Sequence, residues 1–208
     1  MKHVLHYTAL GDSLTIGVGA YFSPGFVQRY EQFLEMLYHM PVKTDIIARN
    51  RMNSSELLMM LSEPEVRYVI ARADIITITI GGNDILQANK TFEKTNDPSI
   101  FQWALENFSY NIRSILADIH AIKATHSPSK PYQILVIGLY NPYPQLSYSD
   151  YWIEKFNRSI HMLASPNVLF INIYPAFNTS RKRLLSLGVH PNGYGYQVIA
   201  NLLADSLR

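Results

Sequence analysis

The chain contains no cysteine. Disulfides, thiolate nucleophiles and cysteine-ligated metals are therefore excluded, while the absence fits a reducing and an oxidising compartment equally well. Charge is also sparse: 16% of the residues are charged and the formal net charge is +2, against 48% hydrophobic. This balance offers no strong field for polyanions, which speaks against a nucleic-acid partner, and it is too apolar for disorder. No apolar run is long enough to span a bilayer, so stable membrane insertion is not expected. Residues 1–10 are too short and too polar for a secretory signal, because Lys2, His3 and His6 sit in a strand-like stretch that runs straight into Gly11. A soluble protein without a signal peptide is expected. Internal repeats and low-complexity segments are absent as well. At 208 residues the chain is long enough to bury a full core, and one domain over 1–208 fits better than two.

What is present alternates. Apolar, β-branched runs over residues 4–10, 42–48, 75–80, 134–138 and 168–173 predict five strands. Between and after them, apolar residues at helical spacing predict helices over 26–40, 54–61, 65–72, 99–126, 150–164 and 194–207, with Pro64 splitting the second from the third. Strands alternating with helices imply a parallel sheet covered on both faces, with ligands beyond the carboxyl ends of its strands.

Three short stretches fall at such strand ends or close to them: Gly11-Asp12-Ser13-Leu14-Thr15, Gly81-Gly82-Asn83-Asp84 and His190-Pro191-Asn192-Gly193. They supply a hydroxyl, an amide and an imidazole. A serine hydroxyl becomes a nucleophile when a base takes its proton, and the resulting oxyanion needs donors already aimed at it, so these residue types are the raw material of acyl transfer. Singly, each has a plainer reading: Asp12 and Ser13 as an ordinary turn, Asn83 as a helix cap, His190 as a loop residue before a helix. Asp12 and Asp84 read as structural hydrogen-bond partners of the two turns. The other histidines show no metal-ligand spacing, and neither a metal nor a cofactor is expected. The run Arg181-Lys182-Arg183 reads first as a solvated helix face, and Tyr140, Tyr143, Tyr148 and Tyr151 as a wall or core.

Taken together, the three blocks resemble the SGNH, or GDSL-type, hydrolases, a family of lipases, esterases and acyl-group hydrolases, over essentially the whole chain. The resemblance implies a three-layer α/β/α sandwich with a five-stranded parallel sheet, the flavodoxin-like SGNH hydrolase fold. It also implies a serine esterase or lipase acting on lipid or short- to medium-chain acyl esters. In that family the first block carries the nucleophile, here Ser13; the last carries the base, here His190; the Gly-Gly-Asn-Asp block carries an oxyanion-binding amide, here Asn83. The backbone N–H of Ser13 joins it in the oxyanion hole. The stretch Gly138-Leu139-Tyr140-Asn141-Pro142 further resembles the small bacillus-type lipases and esterases of spore germination, which implies a cytoplasmic or spore-associated protein.

Two positions depart from the family pattern. Leu187 stands where an aspartate usually orients the histidine, so a main-chain carbonyl near it would have to accept the Nδ1 proton, and a slower or more alkaline enzyme is expected. The second block lacks its glycine; Arg51 aligns there best, with Arg49 and Asn53 as other offsets, and Arg51 would donate through its backbone or its guanidinium. A carbohydrate O-acetyl esterase using the same residues, and a binding module with weak catalysis, are the alternatives.

Overall fold

The computed structural model describes residues 4–127, 129–186 and 188–207. Five parallel strands, β1 (Leu5–Gly11), β2 (Val42–Ala48), β3 (Ile75–Thr79), β4 (Gln133–Ile137) and β5 (Val168–Ile171), form one sheet in the order β2-β1-β3-β4-β5. The helices are α1 (Ser13–Ile16), α2 (Phe26–Tyr38), α3 (Ser54–Met60), α4 (Pro64–Arg72), α5 (Gly82–Thr95), α6 (Ser99–His126), α7 (Ser149–His161), α8 (Tyr174–Leu184) and α9 (Gly193–Asp205).

Every residue of β3 is buried, as a β-branched run between two helical layers must be. Alternate side chains serve opposite cores. Leu10, Ile76, Ile78, Ile134 and Val136 pack with α3 to α7, and Tyr7, Ala9, Ile75, Leu135 and Ile137 pack with α2, α8 and α9. The result is the expected three-layer sandwich. Strand order reverses between β1 and β3, whose registered ends, Gly11 and Thr79, mark the crevice where sheets of this kind bind ligands.

The five expected strands match to within one or two residues. Pro64 occupies the first turn of α4, where a missing N–H costs nothing, and so separates α3 from α4. Three helices were not expected: α1, α5 and α8. Gly81, with φ of +103, ends β3 as expected, but Gly82 already begins α5. A buried lysine closes one helix end, Lys123 Nζ donating to the carbonyls of Ala71 and Ala73 at 2.9 and 2.7 Å. No helix among the described residues is long and apolar enough to cross a membrane.

Candidate active site

The site is built on the turn after β1. Gly11 has φ of +144, and a Cβ there would lie 2.2 Å from the Thr79 carbonyl oxygen, so only glycine lets β1 pass β3 this closely. Asp12 follows as the N-cap of α1, its Oδ1 accepting from Leu14 N at 3.0 Å and from Thr79 Oγ1 at 2.9 Å. Burial raises the Asp12 pKa to about 6 against the pull of those hydrogen bonds. Thr15 Oγ1 and Thr79 Oγ1 are 2.8 Å apart, which ties the far side of the same turn to β3. Ser13 occupies the first position of α1 and is 7% exposed. No turn precedes it, so its N–H has no intrahelical acceptor.

His190 reaches Ser13 from the other end of the chain, 177 positions away, with Nε2 at 2.9 Å from Oγ. Its loop is fastened at several points. Ser186 N and Oγ donate to the His190 carbonyl at 2.9 and 3.0 Å, and Asn192 N donates to Leu184 O at 2.9 Å. Asn192 Oδ1 caps α9 by accepting from Tyr194 N and Gly195 N. The buried Tyr140 hydroxyl donates to the Val189 carbonyl, its ring stacked on Phe177 at 4.6 Å. Desolvation lowers the His190 pKa below its ordinary value, favouring the neutral imidazole that accepts a proton. Leu187 lies outside the described residues.

Asn83, in the first turn of α5, donates through Nδ2 to the Met52 carbonyl at 2.9 Å, which pins α5 to the 50–53 turn. A primary amide carries two N–H donors, so this bond uses one of them. The three offsets for the missing glycine separate in space. Arg51 lines the same pocket as Ser13, Asn83 and His190, and its φ of +64 is the left-handed conformation that glycine adopts freely. Arg49 points to Glu63, 4.0 Å away, and Asn53 forms a capping box with Glu56 at the start of α3. Asp84 is turned from the pocket and accepts from Ser54 N and Oγ, and burial raises its pKa.

Ser13, Asn83, Arg51 and His190 face a pocket of about 370 Å3 whose remaining wall is largely apolar, with Leu86 and Ile85 from α5, Ile153 from α7, and Leu139, Pro142 and Tyr143 from the loop after β4. A smaller chamber of about 30 Å3 adjoins it across Ile85, Pro142 and Ile153 and is closed by Phe101 and Trp152. Among the described residues no three carboxylates or imidazoles come together as metal ligands would. Two supports of the site escaped the sequence reading, the Thr15–Thr79 pair and the bond from Tyr140 to Val189. Threonines inside an otherwise apolar strand, at 77 and 79, were the available signal for the first; nothing local announces the second.

The pattern of the GDSL-like lipase/acylhydrolase family matches residues 9–198. The spore germination lipase LipC of Bacillus licheniformis is 40% identical over 202 residues, covering 96% of this chain and 94% of that one. The crystal structure of the lipase Lip_vut3 from a goat rumen metagenome superposes with a TM-score of 0.92 at 39% identity, covering 97% of each chain. An acetyl-xylooligosaccharide esterase, Axe2, from Geobacillus shares the fold with a TM-score of 0.73 at 19% identity, covering 100% of this chain and 96% of that one.

Proposed function

The chain belongs to the GDSL-like lipase/acylhydrolase family and is a carboxylic ester hydrolase, and from that premise we propose that it cleaves lipid or short- to medium-chain acyl esters through an acyl-enzyme on Ser13. The 2.9 Å contact between Ser13 Oγ and His190 Nε2 carries this reading. As Oγ attacks the ester carbonyl carbon, Nε2 takes the hydroxyl proton. The tetrahedral oxyanion is met by the Ser13 N–H, the remaining Asn83 amide N–H and the backbone N–H of Arg51. Collapse of the intermediate breaks the bond to the alcohol oxygen, which leaves with the proton from His190. Water, deprotonated by the same imidazole, then attacks the acyl carbon and frees Ser13. Asp12 holds the nucleophile's turn through its bonds to Leu14 N and Thr79 Oγ1.

The apolar wall of the pocket favours acyl chains over sugars, and the family relative named for spore germination favours a spore-associated role, with residues 1–208 acting as one hydrolase domain. A fluorophosphonate probe is expected to modify Ser13 alone, located by peptide mass spectrometry. Ser13→Ala is expected to lose both labelling and at least about a thousandfold in kcat/KM on p-nitrophenyl esters. Equal background hydrolysis by wild type and Ser13→Ala would leave a binding module, and preference for acetylated sugars over acyl esters would favour the O-acetyl esterase.

A further inference from the structure

We propose that the rim beside Ser13 and His190 docks onto a lipid–water interface carrying anionic headgroups, with Phe22 as the inserted anchor. This rests on the ester-hydrolase reading and extends it to the physical state of the substrate. The linker between α1 and α2 forms a built turn: Ala20 is buried, and Ser23 N donates to Ala20 O at 3.0 Å. The two residues between them are thrust into solvent, Tyr21 at 75% and Phe22 at 107% exposure. Tyr21 also holds φ of +51, an unfavourable conformation for a bulky aromatic, so the backbone is strained at this exposed turn.

The turn lies close against the loop that carries His190. A Cβ on Gly19 would lie 2.9 Å from His190 Cβ, and one on Gly193 would lie 2.6 Å from Ser23 Oγ. Tyr194, the next residue, is 66% exposed, so exposed aromatics flank the place where this turn approaches the loop that carries His190.

Charge selects the partner. There is no aspartate or glutamate between Asp12 and Glu31, and none between Glu154 and Asp205. The same stretches place Arg29 at the base of the turn, its Nε donating to Pro24 O at 3.1 Å, and Arg183 over the Tyr194 ring at 5.6 Å, with exposed Lys182 beside it. Exposed aromatics among cations, on stretches that themselves carry no carboxylate, suit an anionic lipid surface, where rings enter the headgroup boundary and cations meet phosphates. A second copy of the chain would bring these cations face to face.

The test uses vesicles of ether-linked phosphatidylcholine, with or without ether-linked phosphatidylglycerol, which an esterase cannot cleave. Wild type is expected to co-sediment with the anionic vesicles and more weakly with the neutral ones. Phe22→Ser is expected to lower partitioning about tenfold or more, with hydrolysis of a water-soluble short-chain ester unchanged. Lys182→Glu with Arg183→Glu is expected to weaken binding to anionic vesicles alone. The proposal is overturned if wild type does not co-sediment, if it binds both vesicle types equally, if Phe22→Ser binds as wild type does, or if Phe22 instead supports a concentration-dependent dimer. Failure of the hydrolase reading is separate: wild type would then leave the soluble ester intact, whatever its vesicle binding.

Discussion

Thr79 Oγ1 donates to Asp12 Oδ1 at 2.9 Å, joining the carboxyl ends of β1 and β3 one residue before Ser13. The turn that carries Ser13 is thus held by a buried carboxyl that belongs to the sheet as much as to the turn. Burial, the larger effect, raises the Asp12 pKa to about 6, so the folded protein binds this proton more tightly than the unfolded chain does.

From that sign a stability profile follows. Between about pH 4, where an ordinary carboxyl titrates, and about pH 6, folded Asp12 keeps its proton while the unfolded side chain loses it, so this residue's contribution to stability falls as pH rises and is flat above. Asp12→Asn preserves the acceptor and cannot ionise. The Tm of wild type relative to Asp12→Asn is expected to drop across pH 4 to 6.5 in thermal melts, and a pH-independent difference would contradict it.

With His190 as the proposed base, its protonation is expected to set the acid limb of activity. Desolvation lowers its pKa, so the neutral base persists to a pH below that of an ordinary histidine. The plot of log kcat/KM against pH is expected to break at an apparent pKa below about 6.5. The same profile tests the slower or more alkaline enzyme expected from Leu187, since an apparent pKa above about 6.5 would favour that expectation over the effect of burial.

Tyr140→Phe removes one oxygen atom 49 positions from the carbonyl it holds. Val189 loses its donor and His190 its fixed approach to Ser13. We expect kcat to fall about ten- to a hundredfold with KM little altered, and stability to fall by about 1 kcal/mol. Unaltered kcat would show that the Ser186 and Asn192 bonds suffice.

Ile153 forms part of the wall between the main pocket and the small chamber. Enlarging it in Ile153→Phe is expected to depress kcat/KM for octanoyl esters about tenfold or more relative to butyryl esters. A uniform loss across chain lengths would assign Ile153 to folding instead.

Much of this architecture was legible from residue patterns, and the failures have physical causes. The strands announced themselves because buried parallel strands leave little room for polar side chains: 75–79 reads Ile-Ile-Thr-Ile-Thr. Helix α5 was hidden by its solvent face. It buries only Ile85 and Ala88 and opens on a glycine, so its periodicity is faint. In α8 the backbone leaves helical geometry at Ser180, and a stretch of Pro, Asn, Thr and Ser gives a loop-like signal. Ser13, Asn83 and His190 were named because each sits in a compact block at a strand end. Arg51 was the best-aligned of three offsets, and the backbone was needed to set it apart from Arg49 and Asn53, since nothing in the arginine itself betrays a left-handed turn. The Tyr140 hydroxyl was read only as a wall, because its acceptor is a main-chain oxygen that carries no residue identity.

The separation of 177 positions between Ser13 and His190 also orders events during synthesis. A ribosome releases Ser13 before Thr79, which fastens its turn, and long before the imidazole that the proposed mechanism assigns to it. Until the segment that becomes α9 emerges and docks, the nascent chain lacks the imidazole that the proposed mechanism uses, so a chain ended upstream of residue 190 is expected to be inert rather than a loose hydrolase.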